Sequence, residues 1–347
     1  MKIFPLCFLL CCTFLIGSSL HAGVDEDWAA IVALDSGPAK KPTSAEEAKA
    51  LAITHLARQR QVLDAFIAKY PQDPHAFDAR TRLAAIWATE GTMNGNQVQV
   101  DKAIRTLSEL EKTPGISFEK RADAGFLRVS VFMQSKNGRG DSSRDAIVLA
   151  ARNFAAQYPG DRRGPRLLVE AATLCDDSPK LKSDLLNQAL STTREEPLKQ
   201  RIADDFKRLD QIGRPLALTM SSIRGPEINL AALRGKVVVL IFWSASSPHC
   251  LIWLRDFRIA YESLPKDQLR VVTINLDDDR KALDQRLPLL APNWPVHFDG
   301  KGWNGPIVRS LGINALPSVW ILDKRGIVST INAKENYQTW IRQLLRE

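Results

Sequence analysis

From Ala48 to about residue 212 the apolar positions recur at intervals of three and four; beyond about residue 212 they gather into short continuous runs. Ala48, Leu51, Ala52, His55, Leu56, Leu63, Phe66, Ile67 and Tyr70 fall near helical spacing. Ser44-x-x-Glu47 reads as a capping box before them, and Pro71 stops the helix after them. The same pattern, punctuated by PQDP, EGTMNG, KTPG, KNGRG, YPGDRRGP and DDSP, predicts about eight helices and no strand. Past residue 212, GRPLALTMSSIRGPEINLAALRGK holds short apolar pieces between Gly and Pro turns. KVVVLIFW and LRVVTINLD then read as buried strands, and SVWILD and GIVSTIN as a strand pair separated by KRG. PHCLIWLRDFRIAYESL, DDRKALDQRLPLL, WNGPIVRSLG and ENYQTWIRQLLRE read as helices. Strands alternating with helices and ending in a hairpin predict an α/β domain with a mixed sheet covered on both faces, preceded by an all-α domain.

One motif recurs in the helical half. Phe66-x3-Tyr70-Pro71-x-Asp73 returns 88 residues later as Phe154-x3-Tyr158-Pro159-x-Asp161. That interval holds two helix pairs of about 44 residues each, the spacing of stacked helical repeats. The turn resembles that of tetratricopeptide-like repeats in bacterial envelope proteins. An irregular helical bundle with two similar turns is the alternative.

The amino terminus has one Lys, an apolar stretch from Ile3 to Ile16, and then small and polar residues. The stretch is too short to span a bilayer comfortably and reads as a secretory signal over residues 1–22, cut after Ala22. Leu20 is not the small residue favoured three positions before such a cut, and an uncleaved anchor is the alternative. No small residue directly precedes Cys7, Cys11 or Cys12, so no lipoprotein-type site is expected. Residues 23–43, with VDEDW and DSGPAKKPT, read as a linker. The helical domain then covers residues 44–212 and the α/β domain 213–347. Three of the five cysteines lie in the signal, which leaves Cys175 and Cys250. A disulfide framework is therefore not expected, although the destination expected from the signal, the periplasm outside the inner membrane, is oxidising.

Composition adds little. The 347 residues are 45% hydrophobic and 25% charged, with a formal net charge of +8. Basic residues are interleaved with acidic ones, as in RIADDFKRLD, and no basic block carries aromatics, which speaks against nucleic acid.

Chemistry concentrates in FWSASSPHC, residues 242–250. A buried strand running into a Pro- and Cys-containing loop at a helix start is the setting of a redox dithiol, with two thiols two residues apart. Here only Cys250 is present, and Ser247 stands at the partner position. Around this loop, Gly213-Arg214-Pro215, Leu233-x-Gly235-Lys236-Val237-Val238-Val239-Leu240, Phe242-Trp243, Pro248 and Cys250 follow in order. Gly312-Ile313-x-Ala315-Leu316-Pro317 and Ile321-Leu322-Asp323-x-x-Gly326 come after them. In combination these residues resemble the thioredoxin-like superfamily, in its TlpA-like and alkyl-hydroperoxide-reductase-like (redoxin) branch, over about residues 212–346. The resemblance implies thiol-disulfide oxidoreductase relatives, an active-site helix starting near Ser247 and a cis proline at Pro317 facing it. It also implies a substrate-facing surface of Trp243, Pro248, His249, Leu316 and Pro317, on which an extended segment pairs with backbone.

The chain departs from that family at several positions. Ser246 and Ser247 replace the Trp and first Cys of W-C-x-x-C, and Trp253 and Arg255 stand where many relatives carry Glu and Pro. A cysteine at the helix start is held as thiolate by backbone N–H groups and the helix dipole. A serine hydroxyl stays neutral there and makes an N-cap instead. Cys250, one turn in, is expected either as a packed core thiol or as a working single thiol; a bridge to Cys175 would cross domains. Ser247 has no facing base, because His249 is two residues away on a helix start, and it lacks the Gly-flanked elbow of hydrolases. His297 reads as a strand-edge residue. Cys250, His249 and His297 fall short of a metal site, and no cofactor signature appears. Two readings follow. One is an extracytoplasmic module with lost or weakened dithiol activity that binds a protein or peptide in the cell envelope. The other is a single-thiol oxidoreductase or peroxidase-like enzyme using Cys250. Membrane contact is expected only if the signal is uncleaved.

Overall fold

The computed structural model describes residues 17–136, 141–290 and 293–347. The apolar part of the expected signal, through Ile16, lies outside the described residues. Among the described residues no helix is long and apolar enough to cross a membrane. The chain forms two compact units, residues 1–161 and 162–347.

The first unit is helical: α1 (Gly17–Ala33), a 3-10 turn (Leu34–Ser36), α2 (Ala45–Lys69), α3 (His75–Met93), α4 (Gln97–Glu111), α5 (Phe118–Lys136) and α6 (Asp141–Gln157). Each helix packs on the next along the chain. Residues 23–33, expected as linker, are helix α1. Val24, Trp28 and Ile31 recur at helical spacing, Val24 and Ile31 are buried, and the Trp28 ring lies 5.4 Å from that of Phe66. Ser44 caps α2 by accepting the Glu47 N–H at 3.1 Å. The Glu47 carboxylate reaches back to Thr43 rather than Ser44, taking its N–H at 2.7 Å. With the Lys40 ammonium beside it, and Thr43, Glu47 is held down to about 2.

The two copies of the FxxxYPxD motif fold alike. In each, the Tyr N–H closes the helix on the Phe carbonyl, at 2.8 Å for Tyr70 and 3.0 Å for Tyr158, and the Asp N–H then returns to the Tyr carbonyl. The Phe and Tyr rings pack at 5.1 Å in the first copy and 4.9 Å in the second. Each hydroxyl donates to a carboxylate from an earlier helix: Tyr70 to Asp27 at 2.9 Å and Tyr158 to Glu111 at 2.7 Å. The settings differ. Asp27 is half exposed, whereas Glu111 is buried and also takes Arg128 Nε at 2.7 Å. Burial first, and then the Glu111 carboxylate, push the Tyr158 phenol well above its ordinary range.

The second unit opens with α7 (Arg163–Ala172), α8 (Pro179–Thr192) and α9 (Glu196–Leu209). The sequence pattern changes at residue 212, but these three helices group with the sheet that follows. Polar contacts tie these helices to one another and, through Asn332, to the sheet region. Lys182, buried in the unit, pairs with Asp176 and lies 3.5 Å from Asp205, which also pairs with Arg208. Asp176 in turn accepts a 2.6 Å bond from the Asn332 amide.

The sheet unit continues with β1 (Thr219–Met220), β2 (Ile228–Asn229), β3 (Val237–Trp243), α10 (Pro248–Tyr261), β4 (Leu269–Asn275), α11 (Arg280–Leu290) and β5 (Val296–His297). It closes with α12 (Pro306–Leu311), β6 (Ser318–Leu322), β7 (Val328–Thr330) and α13 (Tyr337–Arg346). Strands β1 and β2 form a small hairpin; the main sheet has the order β5-β4-β3-β6-β7. β3 is central, parallel to β4 and antiparallel to β6, with Val239 opposite Val271 and Ile321. Every residue of β3 is buried, because both faces are covered. Val237, Val239, Ile241 and Trp243 face Cys250, Leu254 and Phe257 of α10 and Ile341 of α13. Val238, Leu240 and Phe242 face Val308 and Leu311 of α12 together with Met220 and Ile228 of the hairpin. The stretch from Ile212 to Ile223 touches both margins of the sheet. Gly213 donates to Val328 and Leu216 to Gly326 at the β7 side, and Ile223 donates to Val296 of β5 at the other.

Candidate functional site

The carboxyl ends of β3, β4 and β5 and the start of β6 lie at one end of the sheet, so the loops that follow or precede them converge there. The loop after β3 is Ser244 to Ser247. The Ser247 backbone is extended, at φ −96° and ψ 112°, and its hydroxyl accepts the Cys250 N–H at 3.4 Å. Ser247 is thus the N-cap of α10, with Pro248 at the first helical position, where its missing N–H costs nothing. Cys250, one turn in, is fully buried among the residues that line the α10 face of the sheet.

Beneath the loop lies a carboxylate that no local pattern announces. Asp277, just past β4 and 4% exposed, accepts Ser244 Oγ at 2.6 Å, the Ala245 N–H at 2.6 Å and Asn275 Nδ2 at 2.6 Å. It also accepts the Ser246 N–H at 3.2 Å and Ser246 Oγ at 3.0 Å. Burial works against the charged form, but these hydrogen bonds outweigh it and hold the carboxyl below the usual carboxylate range. The loop is therefore fixed from below by one buried negative charge. In the sequence Asp277 reads as the end of the strand LRVVTINLD and Asp278 as the opening of the next helix, so nothing local hints at this second role.

Just before β6, whose Ser318 pairs with Phe242 of β3, the Leu316–Pro317 bond is cis. The loop leading to it begins at Gly312, the left-handed C-cap of α12 at φ 69°, which lies against the Asp204 carbonyl of α9 so closely that a Cβ would collide with it.

The structure separates the residues expected to face a substrate. Pro248 and His249 are exposed, and Leu316 and Pro317 are half-buried. Trp243 is fully buried and faces no substrate, because it continues the alternation of β3 into the α10 layer. Its indole N–H has no acceptor among the described residues. Trp253 anchors α10, donating to the Lys334 carbonyl at 2.9 Å and stacking on Phe257 at 5.0 Å. Arg255 is exposed beside Asp256. His297 lies buried on β5, beyond β4 from the loop strand, with Nδ1 2.9 Å from the Ser221 carbonyl. Cys175 and Cys250 are both thiols, and Cys175, three residues past the end of α7, contacts the Ala171 carbonyl of that helix at 3.4 Å. Among the described residues no cluster of three or more His, Cys, Asp or Glu is placed to hold a metal ion.

Residues 210–331 match the AhpC/TSA family. The carboxy-terminal region is a thioredoxin-like redoxin domain. Over 115 residues, 32% of this chain and 67% of the relative, it is 24% identical to sporulation thiol-disulfide oxidoreductase A of Bacillus subtilis (strain 168). Among solved structures it is similar to the thioredoxin domain of a thiol-disulfide oxidoreductase from Bacteroides vulgatus, with 17% identity and a TM-score of 0.34 over 38% of this chain and 97% of that one. It is also similar to a thiol-disulfide oxidoreductase from Bacteroides fragilis NCTC 9343, with 16% identity and a TM-score of 0.31 over 36% of this chain and 96% of that one. In this redoxin domain the position that begins α10 carries a neutral hydroxyl already engaged as a cap. The remaining thiol is sealed in the core, where a thiol is a poor nucleophile.

Proposed function

We propose that the redoxin domain acts outside the cytoplasm as a protein-binding module that has lost or weakened dithiol exchange. The observation that carries this reading is the pairing of Ser247 as N-cap with a fully buried Cys250. The loop keeps its shape through Asp277, and the exposed Pro248 and His249 with the half-buried Leu316 and Pro317 offer a surface to an extended segment. The apolar stretch from Ile3 to Ile16 supports export. The helical half, with its paired Tyr-Pro turns, is proposed as a tetratricopeptide-like region that adds contact surface, and residues 213–347 as the module proper.

Thiol titration of the folded chain across pH tests this reading, with a small alkylating reagent and Cys175→Ala as background. The expected result is slow labelling of Cys250 in the folded chain, because the thiol is fully buried, and rapid labelling once the chain is unfolded. Fast labelling with a midpoint below neutrality overturns it. That outcome establishes the second reading, a single-thiol oxidoreductase or peroxidase-like enzyme, which the name of the Bacillus relative favours.

A further inference from the structure

We propose that the amino-terminal unit carries a binding site for a small, uncharged amphipathic molecule, in a cleft between α2, α3 and the 3-10 turn that follows α1. The cleft has a volume of about 250 Å³. Its apolar lining includes Ile31, Leu63 and Ile86, all buried, with the half-buried Leu56 and Ala85 beside them. Protein interiors leave few voids larger than a water molecule. An apolar cavity of about 150 Å³ already accepts a benzene-sized guest. This cleft is larger, and its residue types suit an aliphatic or aromatic body.

The cleft is held open by its own hydrogen bonds. His55 Nε2 contacts the Leu34 carbonyl at 2.9 Å, which ties the 3-10 turn to α2. Arg82 Nη1 donates to both carboxylate oxygens of Asp35, at 2.8 and 2.6 Å, which ties the same turn to α3. The site is therefore preformed, and a guest need not order it.

The mouth decides the chemistry of the guest. Arg82 and Asp35 both line it, and their charges cancel. A charged head group brought to this mouth would find no uncompensated partner, so an uncharged one fits better. Two donors remain for it. Gln59 Nε2 reaches the Leu34 carbonyl only at the long distance of 3.4 Å, and Arg82 spends Nη1 on Asp35, leaving Nη2 with no protein acceptor among the described residues. The head group that matches them is a hydrogen-bond acceptor: a hydroxyl, an ester or an amide carbonyl.

Calorimetric titration of the whole chain with octanol, octanoate and octylammonium tests the proposal. Octanol is expected to bind saturably, and each charged analogue at least about tenfold more weakly. Leu56→Trp, which fills the cleft from α2, abolishes octanol binding; Ala85→Leu fills it from α3 and serves where the first variant does not fold. Gln59→Leu weakens octanol about fivefold, the effect of one lost hydrogen bond. Absence of saturable octanol binding, or binding unchanged by a folded cleft-filling variant, overturns the site. Octanoate or octylammonium binding more tightly than octanol overturns the uncharged head group.

Discussion

Ser244 and Asp277 stand 33 residues apart in the chain and meet through a buried 2.6 Å hydrogen bond under the loop that leads into α10. Asp277→Asn removes a carboxylate that several donors converge on and sets an amide N–H₂ against some of them. The expected loss of stability is about 2 kcal/mol at neutral pH, the scale of hydrogen bonds to a charged group. The sign with pH follows from the lowered pKa. The contribution is in place above the unfolded-state value of about 3.9 and is lost as pH falls below it through the depressed folded-state value. Urea midpoints of the two proteins between pH 7 and pH 2 are therefore expected to converge on acidification. A gap that stays constant would show that the charge at Asp277 is not what holds the loop.

At Ser247 two substitutions are expected to separate capping from chemistry. Ser247→Ala loses the acceptor for the Cys250 N–H and costs about 1 kcal/mol, read as a shift in denaturation midpoint. Ser247→Cys places a second thiol three residues before Cys250 on the first turn, where side chains are neighbours and a disulfide is within reach. Mild oxidation of that variant is expected to remove two titratable thiols and to confer insulin reduction in the presence of dithiothreitol, and the parent is expected to do neither. A variant that keeps both thiols under oxidant would mean that the loop does not preserve dithiol geometry.

The twin Tyr-Pro turns give an internal control. Tyr158→Phe leaves Glu111 buried with one oxygen deprived of its 2.7 Å donor, and is expected to cost about 1–3 kcal/mol. Tyr70→Phe leaves Asp27 paired with Lys69 and open to water, and is expected to cost under about 0.5 kcal/mol. Equal effects in chemical denaturation would contradict the difference in burial.

Gly312→Ala forces a side chain into a left-handed backbone position and against the Asp204 carbonyl. A cost of at least about 2 kcal/mol is expected. Faster amide exchange over residues 313–316 should accompany it, because that loop starts at the altered residue. Unchanged exchange there would place the loop's support elsewhere.

What could be read from the sequence was what is decided locally. The helical period from Ala48 and the unbroken apolar run of β3 each follow from neighbours in the chain, and so does the N-cap at Ser247, which needs only a hydroxyl before a helix. Three features were hidden because distant residues decide them. Asp277 reads only as the last residue of the strand LRVVTINLD, and its partners include residues of another loop. Helices α7–α9 share the composition of the helices before them, and their contacts with the sheet unit, Asp176 with Asn332 and Asp204 with Gly312, join residues far apart in the chain. Strands β1, β2 and β5 are two residues long, too short for any period to register. Helix α1 was missed for a different reason: its apolar residues adjoin the signal and its polar ones resemble a linker.

The connecting stretch from Ile212 to Ile223 has a consequence for assembly. An exposed strand margin is a template on which a second chain can add itself, the usual start of aggregation in sheet proteins. Here the backbone of Gly213, Arg214 and Leu216 already occupies positions beside β7, and Ile223 does the same at β5. The strap that leads into the sheet therefore also blocks strand addition at both of its margins. Self-association of this unit by strand addition must first peel that strap away.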